Sequence, residues 1–376
     1  MRFLIDRLAF RDALQRVEMA IDRKPTRPIL GGVFLRAEGD VVTVIANDQE
    51  IAARYRVEDV QVDQPGWAVV PGRELVEVVR DFQSETVTVA LNDQGQVEFE
   101  AGEDRCLLVS MEGQAGDDGP PSLFPLPPVL QGQPGVVLDK SEFLRMVGST
   151  RFATSRTHDS RFATEGVLFE LRDGHVVLVG TDGRRLACIR RPALEGAVDA
   201  HRAVLLPRVL DQLLRFGQEE ASERLEAFLF ENQVGFRLGR LEAFGRVLQG
   251  EFPKYDNVIP KSGRHVVRAR REPFSQKLRL ASHLTQDAAA VVRLEVSPRA
   301  LEISAEHEGR GRAAGSLDVD YSGEGLTASF NPDYLLDGLK AAHLDEIEIQ
   351  MEEATRPAKF VLGEDYTYVV MPLSNF

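Results

Sequence analysis

VGTDGRRLACI, residues 179–189, consists of two apolar runs joined by an Asp-Gly turn at Asp182-Gly183. Apolar runs on either side of Asp-Gly are a strong signal for a β-hairpin. The run GVLFEL, residues 166–171, leads into this hairpin through a second Asp-Gly turn. The whole stretch therefore predicts an antiparallel meander. Gly183 permits a tight turn that the Asp182 side chain can cap, although an acidic metal loop stays open as an alternative.

The surroundings of this hairpin recur earlier and later in the chain. Short amphipathic helices are predicted around Phe10, Phe143 and Phe274, and two strand-like runs follow each of them. Asp48 occupies in the first copy the place of Asp182 in the second. A second helix follows in each copy, with proline near its first turn, where the missing N–H costs nothing. These prolines are Pro71, Pro207 and Pro332.

The repeated unit is a helix with strands, twice per domain and three domains per chain. A chain of 376 residues also exceeds what one hydrophobic core usually serves. Pro- and Gly-rich stretches at 116–135 and 250–263 have the composition of linkers. We predict an α+β fold of three domains, 1–122, 123–254 and 255–376, each with two helices on antiparallel sheets. Gene triplication without functional content is one explanation of such a repeat, but the repeat favours a ring or an arc.

The charge of the chain is unevenly distributed. A net charge of −14 argues against a general nucleic-acid binder. The six predicted helices with their flanks nevertheless hold 18 Lys and Arg against 11 Asp and Glu, and the remaining residues hold 27 against 48. Such separation suits a protein that holds a polyanion on one surface, although solvated helix faces give the same pattern.

The predicted contact on these helices is with phosphates and is independent of base sequence. Few aromatic residues accompany the basic ones, so stacking on bases is not expected. Phosphate contacts position a protein on a duplex without reading its sequence. The residues selected on the helices are Arg7, Arg11, Lys140, Arg145, Arg208, Arg270 and Lys277.

Motifs of common catalytic sites are absent from the sequence. The seven histidines lack metal-ligand spacing, and there is no GxGxxG, P-loop or GxSxG pattern. We therefore expect neither metal nor other cofactor and interpret the chain as a scaffold. No apolar run is long enough to span a bilayer, and the N-terminus lacks signal-peptide features. Cys106 and Cys188 are expected to be reduced thiols of a cytoplasmic protein.

Several short motifs, in this order and spacing, resemble those of the bacterial sliding clamps, the beta subunits of DNA polymerase III. The resemblance extends over the whole chain and rests on the motifs together, since each is weak alone. They are RKPTRPILG at 23–31, RF at 161–162, GVLFE at 166–170, TDGRRLA at 181–187, GEFPKY at 250–255, FN at 330–331, YLLD at 334–337 and YVVMPL at 368–373.

This resemblance implies DNA-clamp domains that form half of a six-domain ring. Two identical chains join head to tail, helices line a central hole, and sheets form the outer wall. It implies a non-catalytic processivity factor that encircles double-stranded DNA and slides without sequence specificity. The implied partners are a clamp loader complex, the alpha subunit of the replicative polymerase, and other clamp-binding proteins such as repair polymerases, mismatch-repair proteins and ligase. No membrane partner is implied.

The resemblance also implies three sets of site residues. Arg23, Lys24 and His158 match loops that contact DNA. Arg105, Leu108 and Leu284 match the dimer interface, where strand-edge pairing and apolar contact are expected. A pocket between the second and third domains takes peptides with Leu and Phe anchors, and its matching residues are Thr181, Gly183, Arg184, Arg185, Leu186, Pro253, Val258, Asn331, Tyr334, Val369, Met371, Pro372 and Leu373.

Within this pocket, Leu, Val, Met and Pro side chains are expected to form an apolar floor, and the Arg184–Arg185 pair is expected at its polar rim. Two other functions remain open from the residues. A nuclease or polymerase-like enzyme would use acidic loops such as that of Asp182. A protein-only adaptor would never touch DNA.

Overall fold

The computed structural model describes residues 1–113, 119–132, 134–157, 162–196, 201–285, 291–307 and 309–373. These residues form two compact units. The first unit contains Met1–Leu144, Ala193–Ala197 and Leu205–Val247, and the second contains Arg145–Pro192, Val198–Val204 and Leu248–Phe376. His158, one of the predicted DNA contacts, lies outside the described residues.

Six α-helices occur among the described residues, at the places that the repeat predicts. Phe10, Phe143 and Phe274 are fully buried, which confirms the amphipathic pattern of the first helix in each copy. None of the helices in the described ranges is long and apolar enough to cross a membrane. The helices are α1 (Arg7–Val17), α2 (Gly72–Asp81), α3 (Lys140–Thr150), α4 (Pro207–Phe216), α5 (Arg271–Ser282) and α6 (Pro332–Lys340).

The strands outnumber the helices several times, and the first thirteen lie before residue 193. They are β1 (Arg2–Asp6), β2 (Gly32–Glu38), β3 (Val41–Asn47), β4 (Ile51–Val57), β5 (Gln61–Gln64), β6 (Gly66–Pro71), β7 (Thr86–Leu91), β8 (Gln96–Ala101), β9 (Asp104–Val109), β10 (Val136–Asp139), β11 (Val167–Arg172), β12 (His175–Thr181) and β13 (Arg185–Pro192). The rest are β14 (Glu195–Gly196), β15 (His201–Leu205), β16 (Arg224–Leu229), β17 (Gln233–Leu238), β18 (Leu241–Arg246), β19 (His265–Arg270), β20 (Val292–Ser297), β21 (Ala300–His307), β22 (Gly311–Asp318), β23 (Leu326–Phe330), β24 (Glu346–Met351), β25 (Ala358–Gly363) and β26 (Tyr366–Val370).

The first unit contains two antiparallel sheets. One has the strand order β5-β1-β7-β8-β9, and the other has the order β14-β10-β16-β17-β18-β4-β3-β2-β6. Strand β4 pairs with β18 in the middle of the larger sheet, with Ile51 opposite Gly245. That pair joins strands about 190 residues apart in the chain, so the middle of this sheet depends on contacts between residues remote in sequence.

The second unit repeats this arrangement. Its larger sheet has the order β15-β11-β12-β13-β26-β25-β24-β19, and its smaller sheet has the order β22-β21-β20-β23. The predicted meander is confirmed, since β11, β12 and β13 are consecutive neighbours and Thr181 pairs with Leu186 across the turn. Strand β13 then pairs with the last strand of the chain, β26, with Arg185 opposite Val370.

Within the proline-rich segment between β9 and β10, the described residues 124–130 show a burial pattern with a period of three. Every third residue from Phe124 to Leu130 is buried, whereas Leu123, Leu126 and Val129 are exposed. This period is typical of a polyproline II helix, which has three residues per turn and no internal hydrogen bonds. The buried Arg54 therefore supplies donors, with two hydrogen bonds to carbonyl oxygens of the segment.

Candidate functional site

The turn of the central hairpin is fixed by the Asp182 carboxylate. Its Oδ1 accepts hydrogen bonds from the backbone N–H groups of Arg184 at 2.9 Å and Arg185 at 3.0 Å. Gly183 has a φ of 83°, a conformation that most other residues adopt only with strain. The capping interpretation is thus confirmed. Both carboxylate oxygens are engaged, and no cluster of three potential metal ligands occurs among the described residues.

Arg185 is the buried centre of this region and not a rim residue, so its predicted place is wrong. Its guanidinium donates to Asp182 at 3.0 Å, to Asp337 at 2.7 Å and to the carbonyl oxygen of Phe152 at 2.9 Å. It also lies 4.5 Å from the centre of the Tyr334 ring. Five donors in a rigid fork allow one arginine to join three elements in this way.

A small apolar groove of about 90 Å³ opens beside this hairpin. Leu186 and Val369 are buried and form its floor, while Val258 and Met371 are 41% and 40% exposed. Exposed apolar side chains above a buried apolar floor form a surface that binds the apolar side chains of another molecule. Of the thirteen predicted residues, the structure brings nine into the lining: Thr181, Gly183, Arg184, Arg185, Leu186, Pro253, Val258, Val369 and Met371.

Arg184 supplies the exposed positive charge of the groove. Its side chain has no ion-pair partner among the described residues, whereas its backbone oxygen accepts from Met371 N at 2.8 Å. This bond ties the turn to the residue that follows β26. The groove thus combines an apolar floor with one exposed positive charge at its edge.

The four remaining predicted pocket residues lie close in the fold but do not line the groove. Asn331 caps helix α6, because its side chain accepts from Asp333 N at 2.9 Å. Tyr334 lines a second, polar cleft that shares Arg184 and Arg185 with the groove. Leu373 N donates to the Ser329 oxygen at 2.8 Å, and Pro372 and Leu373 are half-buried.

Sequence reasoning missed part of this polar cleft. Its other lining residues come from the segment after α3, from the turn at Asp182 and from α6, and these segments are up to about 180 residues apart in the chain. Asp182 and Asp337 belong to the TDGRRLA and YLLD motifs, but neither motif indicates that they line a cleft. The other lining residues are Thr154, Ser155, Arg156, Thr157, Asp182, Asp333 and Asp337.

The two cysteines are free thiols, as predicted, and both belong to β-strands. Burial raises the pKa of the Cys188 thiol to about 12, and the charges of Asp256 and Glu170 add to this effect. Burial also raises the pKa of Cys106. Neither thiol is therefore activated as a nucleophile at neutral pH.

The predicted DNA contacts differ in how far their charges are available. Arg23 and Lys24 are exposed in a turn after α1 and have no ion-pair partner in the described part of the chain. Arg270, at the N-terminus of α5, and Arg145, on α3, are also exposed. Lys277 is half-buried, because its aliphatic part lies against Gly315.

Four of the predicted DNA-contacting side chains form ion pairs or hydrogen bonds within the first unit. Lys140 is buried, and its Nζ donates to the backbone carbonyl oxygen of Glu220 at 2.9 Å. Its ammonium group is therefore not available to bind a phosphate. Arg208 is held by two carboxylates, Arg11 pairs with Asp12 at 3.1 Å, and Arg7 donates to the Ser84 oxygen at 2.8 Å.

The predicted interface residues lie near two sheet edges. Strand β9 ends the smaller sheet of the first unit and exposes Leu107 and Val109, at 49% and 66%. On this strand Arg105 forms ion pairs with Glu98 and Glu100, and Leu108 is half-buried. In the second unit, β22 ends the smaller sheet, and Leu284 lines a cleft beside it with Arg312 and His307.

Three family models match successive parts of this chain. They are the DNA polymerase III beta subunit N-terminal domain over residues 1–115, its central domain over residues 137–254, and its C-terminal domain over residues 256–374. The matched class is that of three-domain clamp folds with antiparallel sheets and few helices, which confirms the predicted α+β class. The chain belongs to the family of DNA polymerase III beta subunits, the sliding clamps of bacterial DNA replication.

Individual relatives are similar over their full lengths. The beta sliding clamp of Caulobacter vibrioides is 29% identical, and the alignment covers 99% of this chain and 100% of the relative. That of Pseudomonas aeruginosa is 26% identical over the same shares. The crystal structure of the Bacillus subtilis sliding clamp has the same fold, with a TM-score of 0.92 at 23% identity and full coverage of both chains.

Proposed function

We propose that two copies of this chain form a ring that encircles duplex DNA and acts as a non-catalytic processivity factor in the cytoplasm. The observation that carries this proposal is the match of residues 1–115, 137–254 and 256–374 to three consecutive clamp domains. The three domains are divided at 122/123 and 254/255, a division that the two unmatched intervals between the family models support. A scaffold also agrees with the free thiols and fully engaged Asp182 described above.

Closure of the ring is assigned to the two sheet edges. An unpaired edge offers a row of N–H and C=O groups to another strand. Strand β9 of one copy would pair with β22 of the other, so that the two small sheets become continuous and Leu107 and Val109 are covered. Head-to-tail contacts of this kind close into a ring when two copies satisfy each other.

DNA inside the ring would be held by exposed cations without fixed partners. Arg23 and Lys24 meet this description best, followed by Arg270. The exposed Arg145 is proposed as a further DNA contact. Mobile phosphate contacts leave the protein free to slide, because no base edge has to be matched. Lys140 is left out of this surface, and Arg208, Arg11 and Arg7 contribute only if their ion pairs or hydrogen bonds exchange.

The apolar groove is proposed as the tether for other replication proteins. It lies between the proposed second and third domains and would take the Leu and Phe anchors of a short peptide from the polymerase alpha subunit. The clamp loader and other proteins with the same motif, including repair polymerases, mismatch-repair proteins and ligase, would compete for it. One groove with an adaptable methionine suits several partners.

Topological retention on DNA tests the ring. The purified chain is loaded with a clamp loader onto a nicked circular plasmid, freed of unbound protein by gel filtration, and the plasmid is then cut once. We expect two chains per ring by light scattering, retention on the circle and release from the linear form. Equal retention on both forms would contradict encirclement.

A charge-reversal pair tests the role of the exposed turn. Arg23→Glu with Lys24→Glu should lower loading about fivefold, since each lost phosphate contact weakens association. Arg299→Glu with Arg356→Glu changes the net charge equally at turns outside the helices and serves as the matched control. Unchanged loading in the first pair would favour an adaptor that does not touch DNA.

A further inference from the structure

Tyr255 occupies a central position behind the apolar groove. Its ring is 4% exposed and packs in one buried cluster with Leu186 and Val369, the two residues of the groove floor. The chain continues from Tyr255 as a short 3₁₀ turn that ends at Asn257. Tyr255 therefore lies directly beneath the groove but does not line it.

The backbone of Tyr255 is hydrogen-bonded to both residues of one groove wall. Tyr255 N donates to the carbonyl oxygen of Pro253 at 2.8 Å, and Val258 N donates to the carbonyl oxygen of Tyr255 at 3.0 Å. Pro253 and Val258 are the two residues that this segment contributes to the groove lining. The position of Tyr255 is thus linked directly to both residues of this wall.

The side chain of Tyr255 is fixed by a carboxylate on the sheet. Its hydroxyl donates to Glu170 Oε2 on β11, and the other oxygen of Glu170 lies 3.3 Å from Arg202 Nε. Glu170 is 7% exposed, so this hydrogen bond is shielded from water. Burial raises the pKa of the Tyr255 hydroxyl, and the bond to Glu170 raises it further. The phenol consequently remains a donor at any pH in the physiological range.

The segment has one other polar contact with the same strand. Arg172 pairs with Asp256 at 3.2 Å, but these side chains are 45% and 60% exposed. Exposed ion pairs contribute little to stability. Of these two polar contacts, the buried hydrogen bond of Tyr255 is therefore the one that holds the wall to the sheet.

We propose that Tyr255 and Glu170 are positioning residues of the peptide groove: their hydrogen bond holds the Pro253–Val258 wall in the form that admits a ligand. This inference rests on the proposed role of the groove as a peptide site and concerns how that site is kept preformed. When the bond is absent, the wall samples other positions. Only the fraction of molecules with a formed wall then binds, and the apparent dissociation constant rises in inverse proportion to that fraction.

The test uses Tyr255→Phe in the full chain, because this change removes only the hydroxyl. The probe is a fluorescent peptide with Leu and Phe anchors from a polymerase alpha subunit, and its binding rates are measured by stopped flow. We expect a dissociation constant raised about fivefold, carried by a slower association rate with an unchanged dissociation rate. A change confined to the dissociation rate would overturn the proposal.

Tyr366→Phe is the matched control. Tyr366 is also a buried tyrosine of the second unit, and its hydroxyl donates to the carbonyl oxygen of Ser149 at 2.8 Å, but it is not part of the buried cluster that contains Tyr255 and the groove floor. It should lower the melting temperature and leave both peptide rates unchanged. Equal loss of binding in Tyr255→Phe and Tyr366→Phe would reduce the effect to general destabilisation and would overturn the positioning role.

Glu170→Gln supplies the second arm. It keeps the shape of the acceptor and removes its charge, so we expect a smaller fall in the association rate than for Tyr255→Phe. In the double variant the two effects should not add, because both act through one hydrogen bond. Additive effects would contradict the proposal. Failure of the unmodified chain to bind the peptide would instead contradict the proposed function of the groove, so the two failures are distinguishable.

Discussion

Two Asp turns of this molecule have the same backbone hydrogen bonds, but one adjoins an apolar groove and the other a polar cleft. In the first unit, Asp48 Oδ1 accepts from the N–H groups of Glu50 at 2.9 Å and Ile51 at 2.8 Å, as Asp182 does for its own successors. Gln49 has a φ of 73°, close to the 83° of Gly183. In both units a backbone hydrogen bond joins the turn to the end of a neighbouring strand. In the first unit, Arg246 N donates to the carbonyl oxygen of Glu50.

The side chains on this common frame differ. Met371, Val258 and Pro253 form the rim and wall in the second unit, and they are apolar. The corresponding cleft of the first unit is lined mainly by amide and charged side chains, namely Asn47, Gln49, Glu50, Asn232, Gln233 and Arg246. The same hairpin geometry therefore gives an apolar groove in one unit and a polar cleft in the other.

The chain itself covers the apolar floor in the first unit. Leu130, from the proline-rich segment, is buried against Phe244. Gly235 leaves the space for it, since a Cβ at that position would lie 2.7 Å from the Leu130 side chain. In the second unit, Val258 stays 41% exposed and the floor remains open. A ligand groove in this frame thus depends on whether the adjoining segment fills it.

The largest expected difference between the two turns concerns their arginines. Arg185→Met should lower the free energy of unfolding of the second unit by about 3 kcal/mol, because it leaves Asp182 without its buried partner. Arg208, which forms an ion pair with Asp48 in the first unit, is 41% exposed. Arg208→Met should therefore lower the free energy of unfolding of the first unit by less than about 1 kcal/mol. Urea unfolding followed by circular dichroism measures both. Equal losses would mean that the two turns are held alike.

The next effect concerns ligand binding. Met371→Asp should weaken the anchor peptide about a hundredfold, which corresponds to about 2.7 kcal/mol, because a carboxylate would be desolvated in an apolar groove. Arg246→Asp changes the equivalent position of the first unit and should leave affinity unchanged. Calorimetric titration with the anchor peptide measures the dissociation constant of each variant. If Arg246→Asp also abolished binding, the polar cleft would belong to the peptide site.

The smallest effect concerns the turn conformation. Gln49→Gly should stabilise the first unit by about 0.5–1 kcal/mol, because glycine adopts a positive φ without steric cost. Gly183→Ala should destabilise the second unit by about 1 kcal/mol for the same reason. Thermal unfolding shows both shifts. A loss of stability in Gln49→Gly would mean that the Gln49 side chain contributes a contact that outweighs the backbone strain.

Much of the fold could be predicted because its signals are local. The Asp-Gly turn at Asp182-Gly183 and the apolar periodicity around Phe10, Phe143 and Phe274 each depend on a few neighbouring residues. The nine residues of the groove lining were found through motifs that lie in separate parts of the chain. No local pattern could place Asp337 or Thr154 beside them, because these residues approach Arg184 and Arg185 only in the folded chain.

The sequence by itself determined the repeat, the helices and hairpins, and the family to which the chain belongs. The tertiary structure alone decided which charges are available. Arg184 is exposed while its neighbour Arg185 is buried, and Lys140 is buried while the exposed Lys24 has no ion-pair partner among the described residues. The tertiary structure also decided that Leu130 fills one cleft and Val258 leaves the other open. The physical reason is that burial and ion pairing depend on partners such as Asp337 and Glu220, which are distant in sequence and adjacent only in the folded chain.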